Sequence, residues 1–213
     1  MTFLILNPNS TASMTDAMVE AARLAAPGRR VEGWTSHEGP PAIQGADDGE
    51  AARAPLLELV DKAVQTAPEG LAVGCFDDTA LAEVRTRADC PVVGLGQASY
   101  VYCALRGWRF SVVTTLPVSV PIFEENIHAY GLGGYLGRVR ASAIPVLELD
   151  AAPEAASVRI HAEASRALAE DGIDAVVLGC AGMVAVTRAL RSRLSCPVVD
   201  PVEAAVGALG WLA

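Results

Sequence analysis

The sequence predicts an α/β fold made of two similar halves, each a parallel sheet with helices packed against it. Three observations carry this expectation. Short apolar runs alternate with helical patterns of about 10–15 residues, which implies strands joined by right-handed crossovers. Three strand motifs recur in the same order at a spacing of about 105 residues, far too long for a solenoid. Leu71 to Cys75 (LAVGC) resembles Val176 to Cys180 (VVLGC), Cys90 to Val93 (CPVV) matches Cys196 to Val199, and Phe3 to Leu6 resembles Phe110 to Val113. Hydrophobic residues form 52% of the 213 residues and aromatics only 5%, which suits close packing of Ala- and Val-rich helices on sheets.

Phe3 to Leu6 is a short apolar strand ending in Asn-Pro-Asn-Ser-Thr. Met14, Ala17, Met18, Ala21 and Ala25 recur at helical spacing, and Pro27-Gly28 ends that helix. Arg30 to Thr35 alternates as a strand. Gly39 to Gly49 reads as a Pro/Gly-rich loop and a candidate lid. Leu56, Leu59, Val60, Ala63, Val64 and Ala67 make the clearest helical stripe. Leu71 to Val73 is a buried strand, followed by a turn at Gly74-Cys75 and a short helix to about Arg87. Then come a strand over Pro91 to Leu95, a helix over Ala98 to Leu105, a strand over Phe110 to Thr114 and a helix over Val118 to Tyr130. Val139 to Leu149 holds one or two extended segments. Pro153 to Glu170 is a helix with Ile160, Ala164 and Leu168 on one face. A strand over Ala175 to Leu178, a helix over Met183 to Leu194, a strand at Val198-Val199 and a helix over Val202 to Leu212 complete the chain. The expected lobes are 1–96 plus 200–213 and 97–199, with the active site in the cleft between them.

Sixteen basic residues against 25 acidic ones give a net charge of −9, a surface that repels phosphate backbones, so nucleic acid is not an expected partner. The start MTFLILNPNS has no basic region, and no run approaches the roughly 18 apolar residues of a membrane span. A cytoplasmic chain with no membrane partner is expected. Five cysteines without a CxxC, and three histidines remote from them in sequence, argue for reduced thiols and against a zinc site. Neither Gly131-Leu-Gly133-Gly134 nor Gly94-Leu-Gly96 makes a dinucleotide loop: the first follows a helix, and the second has Ser99 at the third glycine position. The Ala- and Val-rich helices suit either a homo-oligomer interface or internal packing.

In a parallel sheet, ligands bind beyond the carboxyl ends of the strands. The segments expected there are Asn7 to Thr11, Gly74 to Thr79, Thr114 to Leu116 and Gly179 to Met183. Two of them begin with Gly-Cys. A pseudo-twofold between the halves would set Cys75 and Cys180 on opposite sides of one cleft, as proton removal from one face of a carbon and return on the other requires. Each cysteine precedes an expected helix, whose N-terminal amides would lower a thiol pKa from about 8.5 and stabilise an enolate oxygen. A lone cysteine is commonly a small buried hydrophobe. Cys90 and Cys196, each before a proline at a strand start, and Cys103 in an apolar helix fit that reading. Asn9, Ser10 and Thr11 either cap a helix or contact ligand. Asp77 and Asp78 either cap the helix after Cys75 or orient a ring N–H. Thr114 and Thr115 stand at the repeat equivalent of Asn7-Pro8 and suit a hydroxyl contact to substrate. Phe76 either packs under the substrate or fills the core.

Together, Asn7-Pro-Asn-Ser-Thr11, Gly74-Cys-Phe-Asp-Asp78, the Val-Val-Gly-Leu-Gly run at 92–96, Ser111-Val-Val-Thr-Thr115 and Leu178-Gly-Cys-Ala-Gly-Met183 carry a family resemblance. Over nearly its whole length the chain resembles hydantoin racemases of the aspartate/glutamate racemase superfamily. The resemblance implies two pseudo-symmetric three-layer αβα domains, cofactor-independent racemisation of a small molecule, and Cys75 and Cys180 as acid and base. Two departures lie near the cleft: Thr79-Ala80 stands where Pro-Gly is expected, and Gln97-Ala-Ser where Glu-Ala is usual. Phe76-Asp77 and Ala181-Gly182 follow the cysteines in place of the Asn-Thr and Thr-His of the amino-acid racemases. A neutral ring held by backbone amides, with Ala181 and Gly182 among the contacts, therefore fits better than a zwitterion.

The expected function is racemisation of 5-monosubstituted hydantoins or allantoin, with no metal or cofactor. An amino-acid racemase or a maleate-type isomerase is the alternative within the superfamily. Arylmalonate decarboxylases use a single cysteine, so the pair argues against that activity. Outside the superfamily, a non-catalytic two-lobed binding protein would have Cys75 and Cys180 buried or far apart.

Overall fold

The apolar runs pair into two four-stranded parallel sheets. A computed structural model describes residues 2–213, apart from the side chains of Asp150 and Ala185. The elements of the first half are β1 (Thr2–Asn7), α1 (Ala12–Ala25), β2 (Arg30–Thr35), α2 (Ala46–Ala63), β3 (Gly70–Val73), α3 (Leu81–Arg87), β4 (Val92–Gly94) and α4 (Leu95–Leu105). There follow β5 (Phe110–Thr114), α5 (Val120–Ala129), β6 (Leu136–Ala141), α6 (Glu148–Ala151), α7 (Pro153–Glu170), β7 (Ala175–Leu178), α8 (Val184–Arg191), β8 (Val198–Val199) and α9 (Pro201–Leu212). The sheets run β2-β1-β3-β4 and β6-β5-β7-β8, the same order twice.

The strands read as apolar runs because helices cover both sheet faces. Phe3, Ile5 and Ala72 of the first sheet share one core with Phe110, Val112 and Val177 of the second. Side chains of α1, α4, α5 and α9 fill that core between the sheets. The alternate strand residues point outward: Leu4, Leu6, Leu71 and Val73 pack on α2 and α3, while Val113, Val176 and Leu178 pack on α7 and α8. Each half therefore has three layers, and the two inner layers are continuous. The closing helix α9 packs on α1, α4, β3 and β4.

Several boundaries differ from those expected. The loop before α2 ends earlier, because α2 begins at Ala46 with Asp47 and Asp48 in its first turn and the Asp48 carboxylate accepting from Gln44 N at 2.9 Å. The helix stops at Ala63 although Val64 still packs on the same core, and Ala67 is exposed in a left-handed conformation at φ 50°. The helix expected at Cys75 begins only at Leu81, and α4 begins at Leu95 rather than Ala98. β6 begins at Leu136, where it pairs with Phe110, and residues 142–147 form no strand. Cys103 is fully buried as expected, whereas Cys90 and Cys196 are only half-buried.

An ion-pair cluster unnoticed in the sequence pins α7 to the second sheet. Arg140, buried on β6, donates to Asp171 at 2.7 Å, Glu170 at 2.7 Å and Glu163 at 3.2 Å. Ser111 Oγ donates to the same Asp171 at 2.7 Å. The Arg140 guanidinium holds the Asp171 carboxyl below its ordinary value. A depressed acid contributes stability above its unfolded pKa of about 3.9 and loses it as pH falls through the folded value.

Asp171→Asn should therefore cost about 2 kcal/mol in urea unfolding at neutral pH and flatten the loss of stability below pH of about 4. An acid limb as steep as in the unaltered protein would contradict this. Ala80, the residue before α3, is also left-handed at φ 52°. Ala80→Gly should raise stability by about 1 kcal/mol, since relief of the steric penalty exceeds the added chain entropy. The melting temperature would rise by roughly 2–4 °C; a fall would show that the Ala80 methyl contributes more by packing.

Candidate active site

Parallel pairing brings the two Gly-Cys turns to equivalent places. Gly74 N donates to Leu6 O, and Gly179 N to Val113 O, both at 2.8 Å. Each cysteine then closes a similar turn: Cys75 O accepts from Asp78 N at 3.2 Å, and Cys180 O from Met183 N at 3.1 Å. Cys75 and Cys180 line one narrow cavity of about 40 Å³ at the carboxyl ends of the strands. A larger groove of about 680 Å³ lies elsewhere, beside Leu105, Trp108 and Trp211, and no cysteine lines it.

The cavity assembles most of the residues expected from sequence. Asn9, Phe76, Asp77, Thr114, Thr115, Ala181 and Gly182 line it with the two cysteines. Ser10 and Thr11 do not. Their groups hold the neighbouring loop instead, with Ser10 N donating to Pro40 O at 2.9 Å and Thr11 Oγ1 to Pro41 O at 2.7 Å. Asn9 Oδ1 accepts from Thr11 N and Asn7 Nδ2, both at 3.0 Å, so Asn9 organises the start of α1 from the cavity wall. Thr114 Oγ1 donates to Gly179 O at 3.0 Å and anchors the second cysteine turn. Phe76 is buried, edge-on to Tyr100 and Phe123 at centroid distances of 5.5 and 5.0 Å, and thus serves both core and wall.

The electrostatics at Cys75 differ from those expected. The helix expected directly after it is set back, because the backbone makes five further residues of turn before α3. Burial pushes the Cys75 thiol well up, the Asp77 carboxylate adds to the shift, and the nearby Cys180 sulfur adds a little more. A hydrogen bond from the Asp77 backbone amide opposes them. Cys75 therefore rests as a protonated thiol. On the other side, Cys180 is extended and leads directly into a 3₁₀ turn, Ala181–Met183, and then α8.

The two aspartates do not cap α3. Asp77 Oδ1 accepts from Thr79 N at 3.0 Å and from the Thr79 hydroxyl. Asp78 reaches across to the start of α4, accepting from Gly96 N at 3.0 Å and Gln97 N at 2.8 Å. The Tyr130 hydroxyl donates to it as well, at 2.9 Å. Burial raises Asp78 to about 7 against the pull of these donors.

Sequence reasoning missed the apolar wall. Met14, Ile43, Ser119, Ile122, Phe123 and Val146 also line the cavity. The repeat held a signal, since Met14 and Ile122 stand in the first turns of α1 and α5, the helices after the two central strands. Ile43 comes from the candidate lid, which is tied down by a 3.0 Å bond from Val146 N to Gln44 Oε1. Among the described residues, no group of three or more His, Cys, Asp or Glu side chains could hold a metal ion, and no helix is long and apolar enough to cross a membrane.

The chain is similar to several known proteins. The hydantoin racemase of Rhizobium meliloti is 37% identical over 203 residues, covering 95% of this chain and 84% of that protein. The hydantoin racemase of Paenarthrobacter aurescens is 33% identical over 207 residues, covering 96% of this chain and 88% of that one. The structure of allantoin racemase from Klebsiella pneumoniae matches all of this chain and 87% of its own, with a TM-score of 0.94 and 32% sequence identity. A family model described as Asp/Glu/Hydantoin racemase matches residues 3–209, and with two duplicated αβα halves meeting at paired Gly-Cys turns the chain belongs to that family.

Proposed function

We propose that this racemase-family enzyme inverts the C5 stereocentre of 5-monosubstituted hydantoins or allantoin, using Cys75 and Cys180 as a pair of acid and base and no cofactor. The observation that carries the reading is the presence of both cysteines, on equivalent turns of the two halves, around one cavity. The names of the hydantoin and allantoin racemases to which the chain is similar support the substrate class.

The C5–H bond of such a ring lies between N–H and C=O, so its conjugate base is an enolate. One thiolate takes the proton from one face, and the opposite thiol gives a proton to the other face. For one enantiomer the resting Cys75 thiol is the donor. For the other it must first lose its proton, against the burial and the Asp77 carboxylate that resist this. The N–H groups opening the Ala181–Met183 turn are free of helical partners by their position, and they suit the enolate oxygen. No Lys or Arg side chain lines the cavity among the described residues, and Asp77 is its one acid. That lining favours a neutral ring over an amino-acid zwitterion or a dicarboxylate, whose carboxylates would lack a cation. In this reading the reaction occurs in the cleft between a lobe of residues 1–96 plus 200–213 and a lobe of 97–199.

The decisive experiment is a deuterium wash-in. Single enantiomers of 5-substituted hydantoins, allantoin, aspartate and glutamate would be incubated in heavy water, with the uncatalysed exchange subtracted. Loss of optical activity with label at C5 of a hydantoin is expected. Cys75→Ser and Cys180→Ser should each lower kcat/KM by about a thousandfold, because a serine hydroxyl is a far weaker acid than a thiol. Racemisation of an amino acid alone would overturn the substrate class, and full activity in either variant would overturn the mechanism. A second test uses pH. Asp77→Asn removes a charge that raises the Cys75 pKa, so the acid limb of kcat should move to lower pH for the enantiomer that uses Cys75 as base. An unmoved limb would show that Asp77 does not govern that thiol.

A further inference from the structure

The turn that carries Cys75 is held from outside the first sheet. Asn126 Nδ2 donates to the Asp77 carbonyl at 2.8 Å, and the Tyr130 hydroxyl to the Asp78 carboxylate at 2.9 Å. Both donors lie at the carboxyl-terminal end of α5, one helical turn apart, and neither lines the cavity. The opening turn of the same helix supplies Ile122 and Phe123 to the cavity wall. One helix of the second half thus shapes the cavity and grips the first cysteine's turn.

The grip is tight in a way that a filler contact is not. Asp78 is a non-glycine residue at φ 57°, a conformation that persists only where surrounding bonds over-determine it. Its two carboxylate oxygens take three donors, from Gly96, Gln97 and Tyr130. A side chain at Gly94 would collide with this carboxylate, and one at Gly96 with the Phe76 carbonyl. Asp77, whose carbonyl is one of the two gripped groups, is also the residue whose amide and carboxylate act on the Cys75 sulfur. At the Cys180 turn, the Thr114 hydroxyl of its own sheet donates to Gly179 O.

We propose that Asn126 and Tyr130 are positioning residues that fix the Cys75 sulfur relative to Cys180, and so set how often an abstracted proton is replaced on the opposite face. The proposal rests on the two-thiol reading above. When the Cys75 sulfur is displaced, the thiol that took the proton returns one to the same face after exchange with solvent. The carbon then gains deuterium without inversion.

The test measures, for each enantiomer of a 5-substituted hydantoin in heavy water, the ratio of exchange with retention to inversion. Tyr130→Phe, Asn126→Ala and the double variant would be compared with the unaltered protein. The expected result is at least a threefold rise in that ratio for the double variant, larger for the enantiomer deprotonated by Cys180, with kcat lowered and KM little changed. A loss of folded protein alone would lower the total rate and leave the ratio untouched. If the double variant does not fold, Tyr130→Phe, which removes one oxygen, decides on the same ratio. An unchanged ratio in a folded variant, while the unaltered protein racemises the hydantoin, would overturn the positioning role and leave the two-thiol reading standing. Absence of any exchange by the unaltered protein would overturn that reading and the positioning role with it.

Discussion

The bonds from Gly74 N to Leu6 O and from Gly179 N to Val113 O close the pairing of a central strand with its neighbour in each half. A parallel ladder leaves no freedom of register here, because a slip by one residue would turn every buried side chain to the opposite face. Leu71 and Val73 would exchange places with Ala72, and Leu178 with Val177, each against a layer shaped for the other. Register therefore fixes where each strand stops, and the stop fixes where each cysteine begins its turn. The chemistry of the cavity is placed by packing that occurs well away from it.

Beyond these strand ends the halves part company. In the second half Asp200 caps α9 in the ordinary way, accepting from Val202 N at 2.9 Å and Glu203 N at 3.2 Å, with Thr187 donating to it at 2.7 Å. In the first half the equivalent helix, α4, has Gly94 at that position, and the capping carboxylate comes from Asp78 in the cysteine turn. The same need, an acceptor for the free N–H groups of a helix start, is met once within the helix and once from a distance. Only the second arrangement couples a helix to a cysteine. The apparent twofold symmetry of the fold thus conceals two differently held thiols, one crowded by Asp77 and one at the mouth of a helical turn.

Much of this architecture is legible in the chain itself. β5, α7, β7 and β8 have the expected boundaries, helped in two of them by local stop signals, since Pro153 opens α7 and Gly179 follows β7. The duplication is visible because Gly-Cys and Cys-Pro-Val-Val survive in both copies. What escapes is whatever depends on partners distant in sequence. Asp77 and Asp78 look like local caps, yet Asp78 satisfies amides nearly twenty residues on. Ile122, Phe123 and Val146 read as core, and an apolar cavity wall has the same pattern as a core. Arg140 with its three acids leaves no periodic trace, since its partners lie on a different element.

The core shared by Phe3, Ile5, Phe110 and Val177 runs unbroken from one sheet to the other. Swinging the halves apart across that core would expose its apolar surface to water. The spacing of the two thiols is thereby tied to the packing of that core. At the rim, by contrast, among the described residues, the strip carrying Ile43 and Gln44 rests on Val146 through a single hydrogen bond from another segment.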